Sequence, residues 1–288
     1  MKTLAVIFCY QRPEVLRQCA ESLFAGEARP DQMIFIDDGS GPEVRDFLRT
    51  FSKRDSRIEL HLKPENRGYS DSALLAFDYA RKLNPEFLYL IESDFVLNSA
   101  TYAGSPKQFN GLDVVDDVLE NTDYGRNCLG VVGYDQQQGY FNGYTDPENG
   151  IFVQGMRRQL GEDNVNRAVL YKDFKAVGKK FQATLQLVSN TGFCCYLRWQ
   201  DLMMRCEEFP ELTGYLARAC LPQDDPNYPE SGEYKRIRVV DDGMLSHGIN
   251  LVWNRWALKH GIDREKYAAW LSIKPSIAVH HWQGGIHQ

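Results

Sequence analysis

The chain opens on blocks of continuous apolar residues that alternate with amphipathic stretches. Leu4–Cys9 is an apolar run of strand length. Pro13 then stands at a favoured first helical position, and Val15, Leu16, Cys19, Leu23 and Phe24 follow at helical spacing. Met33–Ile36 predicts a second strand, which ends in Asp37-Asp38-Gly39-Ser40. Ser40 and Glu43, on either side of Pro42, have the spacing of a capping box. Val44, Phe47, Leu48 and Phe51 give the helix that follows its apolar face. Ile58–Leu62 reads as a third, short strand. Asn66-Arg67-Gly68-Tyr69 turns the chain into a helix from about Ser70, with Ala73, Leu74, Phe77 and Ala80 inward. Phe87–Ile91 is the fourth strand. This strand–helix alternation predicts a parallel sheet with right-handed crossovers.

Beyond Asp94 the pattern is less regular. Leu129–Val132 reads as a strand, and Tyr134–Gly150 as a long surface loop rich in Gln, Gly, Asn and aromatics. Leu185–Ser189 and Phe193–Leu197 predict short strands around Asn190-Thr191-Gly192. Leu221–Gly232 is a second long loop, rich in Pro and acids, and Ile237–Val240 leads into Asp241-Asp242. The next helix is the most regular in the chain. Met244/Leu245, Gly248/Ile249, Val252/Trp253 and Trp256/Ala257 repeat every four residues, which assigns both tryptophans to core packing. Gly261 stands where a helix-terminating glycine belongs, and Ser276–His280 is a last strand.

Composition narrows the class. A chain of 288 residues can bury a full core, as one large lobe or two fused ones. No apolar stretch approaches the roughly 20 residues of a membrane span, so no integral membrane association is expected, and the start lacks the features of a signal peptide. The seven cysteines are odd in number and scattered, without a C-x-x-C pair, which favours a reduced, cytoplasmic compartment. A net charge of −6 gives no global steering toward DNA or anionic lipid. The local basic excess between Arg157 and Lys180 reads either as a solvated face or as a grip on a phosphate-bearing acceptor.

The candidate chemistry begins at Glu92-Ser93-Asp94. Two acids one residue apart point to the same side of an extended chain, and ligands of open α/β sheets sit beyond the carboxyl ends of the strands. Hard oxygens there suit Mg²⁺ or Mn²⁺ holding a diphosphate; the other reading is a solvated strand end. Asp37 and Asp38 read either as ligand groups or as caps of the turn before Ser40. Asp241 and Asp242 open a helix, where acids also meet the positive end of the dipole.

Four segments, in order, resemble the GT-A fold of inverting, family-2-type nucleotide-sugar glycosyltransferases: Val6–Pro13, Ile36–Ser40, Pro64–Gly68 and Leu90–Asp94. The resemblance covers residues 1–100 and continues more weakly through 192–201, Asp241-Asp242 and His280-His281. It implies a Rossmann-like, mostly parallel sheet flanked by helices. Residues 1–100 would be the nucleotide-sugar half, and residues 101–288 a fused acceptor-binding and catalytic half. Carried onto this chain, it implies donor contacts from Cys9, Tyr10, Arg12, Asp38, Arg67, Glu92, Ser93 and Asp94. Asp38 would favour a uridine donor, since a carboxylate accepts the imide N–H of uracil. Asp94 would bind Mn²⁺ or Mg²⁺, with His281 or His280 as a late imidazole ligand. Glu92 departs from the family's D-x-D at its first position. Asp242 would be the general base supported by Asp241, with Asp224 and Asp225 in reserve. Asn190-Thr191-Gly192 and Arg198 resemble the segment that lines donor sugar and acceptor.

The implied activity is transfer of a sugar from a nucleotide-diphosphate donor, a UDP-sugar favoured, to an acceptor hydroxyl. A sugar-phosphate nucleotidyltransferase or a dinucleotide-binding dehydrogenase would need glycines after the first strand, and Cys9-Tyr10-Gln11-Arg12-Pro13 has none. A non-catalytic module of the same fold is the remaining alternative. The acceptor stays open: a glycan or small molecule is favoured, and a modified DNA base is the alternative that the basic stretch Arg157–Lys180 and the aromatic loop Tyr134–Tyr144 raise.

Overall fold

Side chains alternate across the central strands, and the alternation sorts the core into two layers. Ala5, Ile7 and Cys9 face one side with Leu16, Cys19, Val44 and Leu48, whereas Leu4, Val6 and Phe8 face the other with Ala73, Phe77, Val252 and Trp253. The computed structural model describes residues 1–25, 29–97, 99–101, 108–133, 173–179, 181–188, 194–209, 241–264, 266–274 and 276–280. The elements through the fourth long strand are β1 (Thr3–Cys9), α1 (Pro13–Ser22), β2 (Gln32–Asp37), α2 (Pro42–Phe51), β3 (Ile58–Leu62), α3 (Tyr69–Leu83) and β4 (Phe87–Glu92). They follow the predicted order. Short strands β5 (Phe95–Leu97), β6 (Ser99–Thr101) and β7 (Gln108–Asn110) come next, then α4 (Gly111–Asn121), α5 (Asp123–Asn127) and β8 (Gly130–Val132). The chain continues with β9 (Asp173–Val177), β10 (Gln182–Val188), β11 (Cys194–Arg198), α6 (Trp199–Glu208), α7 (Asp241–Lys259), β12 (Trp270–Lys274) and β13 (Ala278–His280).

One nine-stranded sheet runs in the order β3-β2-β1-β4-β11-β8-β12-β10-β9. The β3-β2-β1-β4 block is parallel throughout, as is the β12–β8 pair. β11 and β10 run against their neighbours. The sheet is therefore continuous across residue 100: strands of the later half extend it from β4. Helices cover both faces, which makes this a mixed α/β fold with a mostly parallel sheet. Among the described residues, no helix is long and apolar enough to cross a membrane.

Two local expectations are settled differently. The predicted capping box before α2 does not form: Gly41 is the N-cap, with Pro42 following it, and no side chain caps the helix. Ser40 accepts a hydrogen bond from the Gln11 amide instead, so its hydroxyl ties the β1 and β2 turns together. The end of α7 matches its prediction. Gly261 has φ +66°, Ile262 N donates to Ala257 O at 2.8 Å and Gly261 N to Leu258 O at 3.4 Å, the double closure of a Schellman motif. Trp253 is fully buried there, with its indole N–H donating to Asn127 O.

Candidate functional site

Register brings three turns side by side. Cys9 pairs with Asp37 and Phe8 with Glu92, so β2, β1 and β4 end level with one another. The segments that leave them, Asp38–Ser40, Tyr10–Arg12 and Ser93–Asp94, emerge on one edge of the sheet.

The β1 turn is made by two successive non-glycine residues in the left-handed region, Gln11 and Arg12, each with φ 55°. Such residues cost about 1–2 kcal/mol apiece and persist where their surroundings hold them. Here Gln11 N donates to Ser40 Oγ at 2.8 Å, and Arg12 O accepts the amide of Leu16 in the first turn of α1. The turn carries Arg12 across to the end of β4, where Nη1 donates to Asp94 Oδ2 at 3.0 Å. Tyr10 lies half exposed beside it. Cys9 points the other way: its thiol is buried in the core and donates to Ile7 O, and burial pushes its pKa well above the ordinary thiol value. Only its carbonyl meets the turn, accepting Asp38 N at 2.9 Å.

The two acids of the β2 turn divide their work. Asp37 is fully buried, accepts the Ser40 amide, and pairs with Arg45 Nε at 3.1 Å. It shapes the turn. Asp38 faces the next loop. Its Oδ1 accepts from Lys63 Nζ at 3.1 Å and from Arg67 N at 2.9 Å, and its Oδ2 from Gly68 N at 2.8 Å. Gly39, with φ +76°, is pressed so closely onto Glu65 and Asn66 that a Cβ there would overlap their backbone. The Pro64–Gly68 loop is thus fastened to the end of β2 from two sides.

Lys63 is the residue that sequence reasoning missed. It is 4% exposed, donates to Ser72 Oγ at 2.8 Å, and lies 2.7 Å from Asp71 Oδ2 as well as beside Asp38. The available signal was a lysine after a strand and before Pro64, a place that reads as exposed loop. The guanidinium of Arg67 is half exposed at the mouth of this loop, with Nε 4.0 Å from Asp71 Oδ1.

At the end of β4, Ser93 is buried and its amide donates to Phe8 O at 3.0 Å. The Glu92 carbonyl accepts the Cys19 thiol, and the Glu92 residue is partly exposed. β5 starts directly after Asp94 and pairs antiparallel with β13, with His280 opposite Phe95. The backbone of the late histidine therefore lies beside the residue that follows Asp94. His281 lies outside the described residues, as do Asp224, Asp225, Asn190-Thr191-Gly192, the predicted strand Ile237–Val240, the loop Tyr134–Tyr144 and most of Arg157–Lys180. Asp241 and Asp242 open α7, as the sequence predicts.

One expectation is corrected. Arg198 ends β11 opposite Phe87, the first residue of β4, and so stands at the far edge of the sheet from Asp94. Its guanidinium donates to Leu119 O and Gly125 O and lies over the Phe87 ring. β11 runs antiparallel to β4, which places the C-terminal end of β11 at the wrong edge for a donor contact.

Among the described residues, no three His, Cys, Asp or Glu side chains converge on a metal position. The Asp94 carboxylate still fits a hard divalent ion. Mg²⁺ and similar ions are held by one or two carboxylates while substrate phosphates and water fill the other positions.

Residues 4–102 match the model of Glycosyl transferase family 2. The matched segment runs from β1 through β6 and contains Arg12, Asp38, Lys63, Arg67 and Asp94. Similar solved structures include S. aureus TarS 1-349, at 12% identity and TM-score 0.42, covering 73% of this chain and 49% of that one. S. aureus TarS is also similar, at 11% identity and TM-score 0.46, covering 87% and 34% respectively. TarS 1-349 in complex with UDP-GlcNAc matches at 12% and 0.42, covering 73% and 48%. This chain thus spans about half of the shorter TarS chain and about a third of the longer one. No curated protein sequence matches the chain.

Proposed function

We propose that this protein is an inverting glycosyltransferase that moves a sugar from a nucleoside-diphosphate donor, a UDP-sugar by preference, to an acceptor hydroxyl. The observation that carries the reading is the convergence, inside the matched segment, of Arg12, Asp38 and Asp94 on one edge of the sheet. Nucleotide ligands of open α/β sheets bind at that edge.

Asp38 suits the base. A carboxylate offers about four acceptor directions. Lys63, Arg67 N and Gly68 N occupy three of them, leaving one for the imide N–H of uracil. Tyr10, half exposed on the neighbouring turn, offers a ring for stacking. Arg12 brings positive charge to the diphosphate. Asp94 would hold Mn²⁺ or Mg²⁺, with Glu92 on the ribose or on a water and His280 or His281 as the imidazole ligand. The His280–Phe95 register supports the late histidine by proximity of backbone. When bound, the ion supplies Lewis acidity to the leaving diphosphate.

In the transfer itself, Asp242 takes the proton of the acceptor hydroxyl while that oxygen attacks the anomeric carbon. The new C–O bond forms as the bond to the diphosphate breaks, and the nucleotide leaves with the electron pair. Asp241 supports Asp242 from the same helical turn. The acceptor is a glycan or small molecule, with a nucleic-acid base as the alternative, and the setting is cytoplasmic.

The test is a thermal-shift panel of UDP, GDP, CDP, ADP and dTDP, each with and without Mn²⁺. Ligand at a hundredfold its Kd stabilises by about 2.7 kcal/mol. A Mn²⁺-dependent shift confined to UDP is expected. Shifts for another nucleotide alone would reassign the donor, and turnover of no nucleotide sugar by a nucleotide-binding protein would leave a non-catalytic module.

A further inference from the structure

The contact between Arg12 and Asp94 does not look like an incidental surface ion pair. The guanidinium is partly exposed and the carboxylate largely covered, at 36% and 14% of their side-chain areas. The cation therefore caps the acid from the solvent side, where a donor would approach. It is delivered there by the left-handed Gln11-Arg12 turn, which is fastened to Ser40 on one side and to α1 on the other. Two unfavourable backbone conformations in succession are retained at a place where a plain helix start would have put Arg12 elsewhere.

Three other cations around this edge have different duties. Lys63 is enclosed by Asp38, Asp71 and Ser72. Arg45 is taken by Asp37 and the Lys63 carbonyl. Arg67 stands at the outer loop beside Asp71. Arg12 reaches Asp94, just beyond the end of β4. Its fork of five N–H donors matches phosphate oxygens, and its side-chain torsions let the group swing while the turn stays fixed.

We propose that Arg12 is an exchangeable cation: it neutralises Asp94 while the nucleotide is absent, and it moves onto the diphosphate when Asp94 turns to a divalent ion. This rests on the glycosyltransferase reading above and adds an order to it. Arg12 and the ion take turns on Asp94, and the guanidinium displaced from it becomes a contact to the leaving group. The charge of the site then stays balanced before and after donor binding.

The exchange gives one substitution two opposite effects. In Arg12→Gln, the guanidinium no longer competes for Asp94, so Mn²⁺ alone should bind roughly two- to fivefold more tightly, the scale of a partly exposed ion pair. UDP in saturating Mn²⁺ should bind about tenfold or more weakly, because a charge-assisted contact to phosphate is lost. Isothermal titration reads both with wild type, Arg12→Gln, Arg12→Lys and Asp94→Asn. Arg12→Lys should fall between wild type and Arg12→Gln in each titration, and it carries the same test if the glutamine variant fails to fold. Asp94→Asn should lose Mn²⁺ binding. A merely structural Arg12 would weaken Mn²⁺ and UDP together, and that result, or unchanged Mn²⁺ affinity, would overturn the exchange while leaving the transferase reading intact. Mn²⁺ binding that survives Asp94→Asn would also overturn it. A wild-type protein that binds UDP under no condition would remove the donor reading itself.

Discussion

Lys63 Nζ lies 3.1 Å from Asp38 Oδ1, and the two side chains are 4% and 9% exposed. A charged pair this deep is held by further partners: Asp71 and Ser72 on the lysine, and the Arg67 and Gly68 amides on the acid. The pair therefore fixes where the Pro64–Gly68 loop sits relative to β2. Breaking a buried pair by removing one member typically costs about 3–5 kcal/mol. Lys63→Met should lower the unfolding free energy by about that amount and weaken UDP binding, as read from urea denaturation and titration. A loss below about 1 kcal/mol would show that the cluster contributes little.

Gly39→Ala should be nearly as damaging, although it adds only a methyl group. The φ of +76° disfavours a side chain, and the new Cβ would overlap the backbone of Glu65 and Asn66. We expect about 2–4 kcal/mol of destabilisation from strain and displacement together, with the donor loop pushed outward. Denaturation midpoint and UDP affinity should fall in parallel; unchanged affinity would separate the loop from donor binding.

Asp94→Ala should abolish the Mn²⁺-dependent part of nucleotide stabilisation. Thermal shift with UDP, with and without Mn²⁺, reads it directly. A metal-dependent shift that survives the substitution would place the ion on other residues.

Asp242→Asn should leave UDP binding near its wild-type value and reduce transfer by roughly 10²–10⁴-fold, the usual contribution of a positioned base. Steady-state kinetics with any competent acceptor checks this. Normal turnover would send the search for the base to Asp241, Asp224 or Asp225.

The buried thiols should be inert in the native protein. Burial pushes Cys128 and Cys206 up to about 11, and Cys9, Cys19 and Cys194 upward as well. A raised pKa removes thiolate at neutral pH, and thiolate is the reactive form. Alkylation at pH 8 followed by peptide mapping should leave these cysteines unmodified until denaturant is added. Rapid labelling of Cys9 or Cys19 would mean that the core beneath the β1 turn opens readily.

The sequence by itself determined the parallel half of the sheet. Runs such as Leu4–Cys9 and Phe87–Ile91 are apolar at every position, as strands buried on both faces require, and the helices between them carry their own periodicity. It also placed Asp38, Arg67, Asp94 and Asp241-Asp242 at strand ends and a helix start, because turn and cap residues act over a few positions. Tertiary structure alone decided the partners. The pairing of Arg12 with Asp94 spans 82 residues, and that of Lys63 with Asp38 spans 25; no local pattern encodes either. Ser40 shows the limit most plainly. Locally it has the spacing of a helix cap, yet its hydroxyl binds Gln11 on another turn. Arg198 shows it at longer range: its distance from the site follows from β11 running antiparallel to β4. Strand direction there depends on long-range pairing, and the sequence pattern of a single strand is the same read either way.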